Sequence, residues 1–213
     1  AETAIENSIQ WNGKLVFSSG KELYYVPVPD ELIIYPDEIV AFDDATVAYD
    51  DELIAAGWPA AITKTSIGQA LGNKTPCFLP FGDDDLIVAS GDHLQYIVGN
   101  WAMSTVNSSP HLDNVWFDEG RVWGTLTAQD GVTDADYVYG SAVGSFKGAN
   151  DWDTTPQLEN DWSSVAKADY DTTALYYEVG YKDGLEIVRV EQLSSDTIIY
   201  KEKNGRHAQY RRT

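Results

Sequence analysis

The chain has 213 residues, with 34 Asp and Glu against 14 Lys and Arg, a formal charge of −20 at pH 7. Its 43% hydrophobic and 12% aromatic residues far exceed what an acidic disordered tail carries, so the charge covers a folded body long enough to bury a core. Such a field repels phosphate backbones and excludes direct nucleic-acid binding. No apolar run reaches the roughly 18 residues of a membrane span, and the single cysteine, Cys77, excludes an internal disulfide and a cysteine-rich zinc site.

Short β-rich runs separated by turn signals recur along the chain. The first are 8–18 and 23–28, with Asn12-Gly13 and Ser19-Gly20 as turns, then 32–42 and 46–49. Residues 51–56 read as a short helix with Asp50 as N-cap and Gly57 as stop, and 66–71 as one helical turn ended by Gly72. Strands resume at 77–80, 86–90, 94–99, 114–118, 121–128 and 137–146, with turns at Glu119-Gly120 and Asp130-Gly131. The best helical pattern is 156–168, with Thr155 as N-cap, Pro156 at the first helical position, and Leu158, Trp162 and Val165 on one face. Strands at 175–182, 185–192 and 197–201 follow, around Asp183-Gly184 and Asn204-Gly205. In 185–192, Leu185, Ile187 and Arg189 share one face and Glu186, Val188 and Val190 the other, while Ile198 shares a face with Tyr200.

These elements predict an all-β fold, mostly antiparallel, with one to three short helices: a jelly roll, β-barrel or sandwich. One domain spans 1–213, with two stacked β-barrels as the alternative and no boundary visible in composition. No period of 20–50 residues stands out, which argues against propellers and solenoids, and no βαβ alternation suggests a Rossmann or TIM-type enzyme. The start carries no charged-then-apolar leader, and Ala1 is the residue expected after loss of an initiator Met.

The acidity has a particular character. The acids are 22 Asp and 12 Glu, and the bases 9 Lys and 5 Arg. Scarce lysine with abundant short carboxylates suits a salt-rich medium, where a Debye length of about 3 Å at 1 M removes self-repulsion. The bases are also segregated: residues 201–213 hold five bases and one acid, so residues 1–200 carry 9 − 33 = −24. Arg206, Tyr210, Arg211 and Arg212 therefore suit contact with the acidic body of a neighbouring copy, the alternative being a solvated tail.

Searching for chemistry yields no catalytic signature. Ser141 is not midway between Gly140 and Gly144, as a nucleophile elbow requires. Ser90, Asp92 and His93 are too close in sequence to form a relay alone, and His93, His111 and His207 show no paired spacing for zinc. Asp118 and Glu119 are adjacent and point to opposite faces, so they do not act on one sugar. Of the carboxylate clusters, Asp83, Asp84 and Asp85 after Phe81-Gly82 are the candidate ligands for calcium or another cation, although the spacing is not that of an EF-hand loop. No other cofactor is expected. Trp101, Trp116, Trp123, Trp152 and Trp162 suit either a core or a sugar-stacking platform.

In composition and size the chain resembles the jelly-roll capsid proteins of icosahedral, membrane-containing viruses that infect halophilic archaea. The residues behind the resemblance are the Asp-rich turns Asp43-Asp44 and Asp83 to Asp85, the runs 8–18 and 175–192, and the basic end 206–212. It implies a structural protein of the virion without enzymatic activity: upright β-barrels in capsomers, a shell around an internal membrane, and copies of itself and other capsid proteins as partners. No family residue transfers position by position. The alternative is an extracellular carbohydrate-binding or adhesive β-sandwich using calcium, and a β-sandwich hydrolase has least support.

Overall fold

A computed structural model describes residues 5–27, 63–126, 137–154, 174–180, 183–193 and 196–212, and every regular element among them is a strand. β1 (Asn7–Trp11), β2 (Lys14–Ser19), β3 (Glu22–Pro27) and β4 (Thr65–Gln69) form a first antiparallel sheet in that order. The second takes β5 (Cys77–Phe81) and β6 (Asp85–Ala89), leaves out the two-residue β7 (Asp92–His93), and continues through β8 (Gln95–Val98) and β9 (Met103–Thr105). β10 (His111–Leu112) turns back to pair with β7 in a separate ribbon. The third sheet is β11 (Asn114–Asp118), β12 (Arg121–Thr125), β13 (Tyr137–Gly140) and β14 (Leu175–Glu178). The fourth has three strands, β15 (Glu186–Leu193), β16 (Asp196–Lys203) and β17 (Arg206–Arg212).

Local chemistry sets the hairpins. Asn12 and Gly13 both take positive φ (48° and 67°), as do Glu119 and Gly120 (49° and 74°) and Asn204 and Gly205 (54° and 76°). Two-residue turns of this hand match the twist of the strands they join, and glycine at the second position adopts them without steric cost. Thus β1–β2, β11–β12 and β16–β17 are tight hairpins at three of the turns expected from sequence.

Side-chain alternation then stacks the sheets. On β6, Leu86 and Val88 pack with Trp11, Val16 and Leu23 of the first sheet, whereas Ile87 and Ala89 pack with Leu112, Val115 and Val122. On the third sheet Val115 and Val122 face the second, and Trp116 and Trp123 face Ile187 and Ile199 of the fourth. The middle sheets are thus buried on both faces, which explains apolar runs such as Leu86 to Ala89 without polar interruption. Each fully buried Leu or Ile contributes about 1.5–3 kcal/mol. The strongest local conflict lies between the first two sheets. Trp101 takes φ 69°, and its ring is held by stacking on Tyr25 (centroids 4.1 Å apart) and an edge contact with Trp11 (5.2 Å). Packing there outweighs a backbone cost of about 1–3 kcal/mol.

The all-β, mostly antiparallel class is as expected, and adjacent sheets pack face to face as in a sandwich. The sheets are up-and-down meanders, and the Greek-key crossings of a jelly roll are not among the described pairings. Their first strands adjoin in sequence: β1 touches β5, β5 touches β11, and β11 touches β15. Successive sheets thus meet through their first strands, a contact order that no periodicity in the sequence announces. The first strands begin at residues 7, 77, 114 and 186, with gaps of 70, 37 and 72. Residues 28–62 fall between β3 and β4, 127–136 between β12 and β13, and 155–173 between β13 and β14, outside the described residues.

The helical turn expected at 66–71 is a correction: Thr65–Gln69 is strand β4. A single turn gains few hydrogen bonds, whereas this segment pairs with β3, and Gly68 sits at a bulge with φ 153°, outside the helical range. The helices expected at 51–56 and 156–168, the strands at 32–42 and 46–49, and Asp43-Asp44 lie outside the described residues. A second correction concerns β15. A bulge between Ile187 and Arg189 leaves Val188 exposed and returns Val190 to the face of Ile187, against the core.

Candidate functional site

The basic end is a strand, and its surroundings divide into a buried and an exposed half. On β16 the inward residues are Thr197, Ile199 and Lys201, and the Lys201 side chain is fully buried. Its ammonium donates to the Val179 carbonyl (2.5 Å) and to Asp183 Oδ1 (2.9 Å). Tyr210 of β17 packs on the core cluster of Ile187 and Ile199 and donates its hydroxyl to Asp183 Oδ2 (2.8 Å). The Leu185 N–H donates to Asp183 Oδ1 (2.8 Å). Partial burial raises the Asp183 pKa, but these donors and the Lys201 charge outweigh it and hold the carboxyl below its ordinary value. Asp183 in turn accepts the Tyr210 hydroxyl proton's bond and, with burial, pushes that phenol up. Arg206 and Arg211 are both exposed, on opposite faces of β17; Arg211 pairs with Asp196, and Lys203 pairs with Glu186 at 2.5 Å. Arg212 ends the strand.

Among the described residues β17 pairs with β16 alone and is an edge strand, as β4, β9 and β14 are in their own sheets; what sets β17 apart is its arginines. Beside it, Tyr177, Glu178, Val179, Ile199, Tyr210 and Arg211 line an open cleft of about 360 Å³ between the third and fourth sheets. A row of backbone donors and acceptors flanked by arginines and a partly apolar cleft suits an added strand from an acidic partner.

A second constellation was invisible in sequence. β7 and β10 pair antiparallel, with His93 opposite His111. The two rings meet edge to face with centroids 4.6 Å apart, and His111 Nε2 lies 3.4 Å from Asp92 Oδ1. One nitrogen of each ring and an Asp92 oxygen all lie within 4.8 Å of one another. The histidines are 18 residues apart on two-residue strands, so neither helical nor strand spacing announces them; only the ribbon pairing does.

The other candidates sit apart. Asp83 and Asp84 are exposed in the β5–β6 hairpin, and Asp85 forms an ion pair with Lys147 at 2.6 Å. Ser90 is buried and its hydroxyl accepts the Gly72 N–H (3.0 Å), while Ser141 is buried and accepts the Val122 N–H (3.0 Å), so both serve the scaffold. Burial raises the Cys77 thiol pKa, and Cys77 packs, partly buried, against the core of Ile87 and Val115. Trp116, Trp123 and Trp152 are buried and Trp101 is half-buried, so these four build core, and Trp162 lies outside the described residues. Among the described residues no helix is long and apolar enough to cross a membrane. No protein-family model and no curated protein sequence matches the chain.

Proposed function

We propose that the protein is a structural subunit that joins its neighbours edge to edge through β17 in a salt-rich medium, as a component of a viral capsid shell. The observation that carries this is a basic strand that among the described residues stands on the edge of a sheet, on a body of charge −24 outside that end. Exposed edges pair readily, and charges such as these arginines blunt an edge against neutral or basic strands but suit an acidic one. Here the edge is long, seven residues, and bears the sign opposite to the surface of a second copy. At molar salt only contact-range charge pairs survive, so backbone hydrogen bonds to the added strand supply affinity and Arg206 and Arg211 set register. The capsid assignment rests on the resemblance in composition and size, and the edge supplies the means of assembly.

Sedimentation velocity across a KCl series tests it. Self-association is expected in the wild type and is expected to fall at least about tenfold in the Arg206→Glu/Arg211→Glu variant, since like charges opposed across an edge repel. A wild type that stays monomeric at all concentrations and salts, or a variant that associates equally, overturns the proposal.

A further inference from the structure

We propose that Asp92, His93 and His111 bind one divalent transition-metal ion, with zinc as the preferred class, and that the ion clasps the second sheet to the third. Two imidazoles and one carboxylate form a borderline donor set that selects zinc, nickel or copper over calcium or magnesium, whose sites are built from oxygen alone. A tetrahedral zinc with bonds of about 2.0–2.1 Å separates its ligand atoms by about 3.3–3.4 Å. The 3.4 Å between His111 Nε2 and Asp92 Oδ1 is already that edge. The 4.8 Å limit on the three ligand atoms leaves at most about 1.5 Å to close, within reach of the exposed His111 side chain.

Neighbouring groups hold two of the ligands ready. Adjacent strand residues normally point to opposite faces, but Asp92 Oδ1 accepts the His93 N–H (2.7 Å), which turns the carboxylate toward the histidines. His93 Nδ1 donates to the Ser109 carbonyl (2.5 Å), leaving Nε2 with the lone pair a metal takes. Ser109 is itself buried and fixed, since its hydroxyl accepts the Leu94 N–H (2.7 Å) and its own N–H donates to Val106 (3.0 Å). This is the outer-shell carbonyl that orients histidine ligands in metal sites. The Asp92 and His111 side chains are 37% and 54% exposed, so an ion has an entry path and water has room to complete the coordination.

The site also has a place where binding changes something. β7 leaves the second sheet between β6 and β8, β10 leads directly into β11, and the Gly91 N–H donates to the Leu112 carbonyl (2.8 Å). Leu94 and Leu112, beside the ligands, are fully buried in the core shared by the two sheets. An ion at the ribbon therefore stabilises that interface directly.

Calorimetric titration of the full chain with zinc, and visible absorption with cobalt as a spectroscopic substitute, test the site. Expected are one ion per chain, tetrahedral cobalt bands, and a thermal midpoint that rises with zinc but not with equal calcium. His111→Gln is expected to weaken zinc by at least about tenfold, and His93→Gln/His111→Gln to abolish binding, with circular dichroism confirming that both variants fold. Absence of zinc binding to the wild type, or undiminished one-to-one binding by the folded double variant, overturns the proposal. A midpoint raised equally by calcium overturns the metal class.

Discussion

The interface between the second and third sheets and the interface between the third and fourth are built on different physics. The former is apolar throughout its centre: Ile87, Leu94, Leu112, Val122 and Phe146 are all essentially inaccessible. The latter combines Trp116, Trp123, Ile187 and Ile199 with a buried lysine held by a carbonyl and a carboxylate. Apolar burial depends on shape and is indifferent to pH. A buried charge depends on its partners, and losing one costs more than the pair contributes. The fourth sheet is therefore attached through a buried ion pair, and β17 is one of its edge strands among the described residues.

The largest effect that would break this contrast lies in the apolar centre. Phe146 meets Phe81 (centroids 5.0 Å) and Tyr96 (5.7 Å) edge to face, so Phe146→Ala is expected to cost about 3–5 kcal/mol in urea unfolding. That loss should be the same at pH 7 and pH 5. Next comes Lys201→Met, which removes the donor of the Val179 carbonyl and the charge partner of Asp183, leaving that carboxylate only its Leu185 and Tyr210 donors, and should cost on the order of 3 kcal/mol. Hydrogen exchange should quicken in β15–β17 and stay slow in β5 and β6; equal quickening everywhere would show the two interfaces to be one cooperative unit.

The smallest effect is the titration of Asp183. Its folded pKa is below the unfolded value, so its contribution is present above the ordinary carboxylate value near 4 and is lost as pH falls through the folded value. Stability measured from pH 6 to pH 2 should therefore fall more steeply in the wild type than in Asp183→Asn. Parallel curves would remove the carboxylate from the acid response and with it the contrast between the interfaces.

Legibility from sequence followed range. The turns Asn12-Gly13, Glu119-Gly120 and Asn204-Gly205 were readable because positive φ is a local demand that Asn and Gly announce. The apolar strands 86–90 and 114–118 were readable from composition within a few residues. β17 was readable only as charge, since Arg206 to Arg212 holds one large apolar residue, Tyr210; pairing with β16 makes it a strand. Simple alternation places Val190 on the face opposite Ile187, and it fails there because a bulge adds a residue without changing the pattern of letters. The histidine pair had no signal at all, because its geometry belongs to the pairing of β7 with β10.

By itself, then, the sequence determined an acidic body, a basic end and a series of antiparallel hairpins, since charge, turn chemistry and alternation act over a few residues. The tertiary structure alone decided that four meanders stack in chain order, that Lys201 is buried on Asp183, and that His93, His111 and Asp92 converge. Those outcomes depend on which strands pair and which faces meet across long connections, and no local pattern encodes that choice.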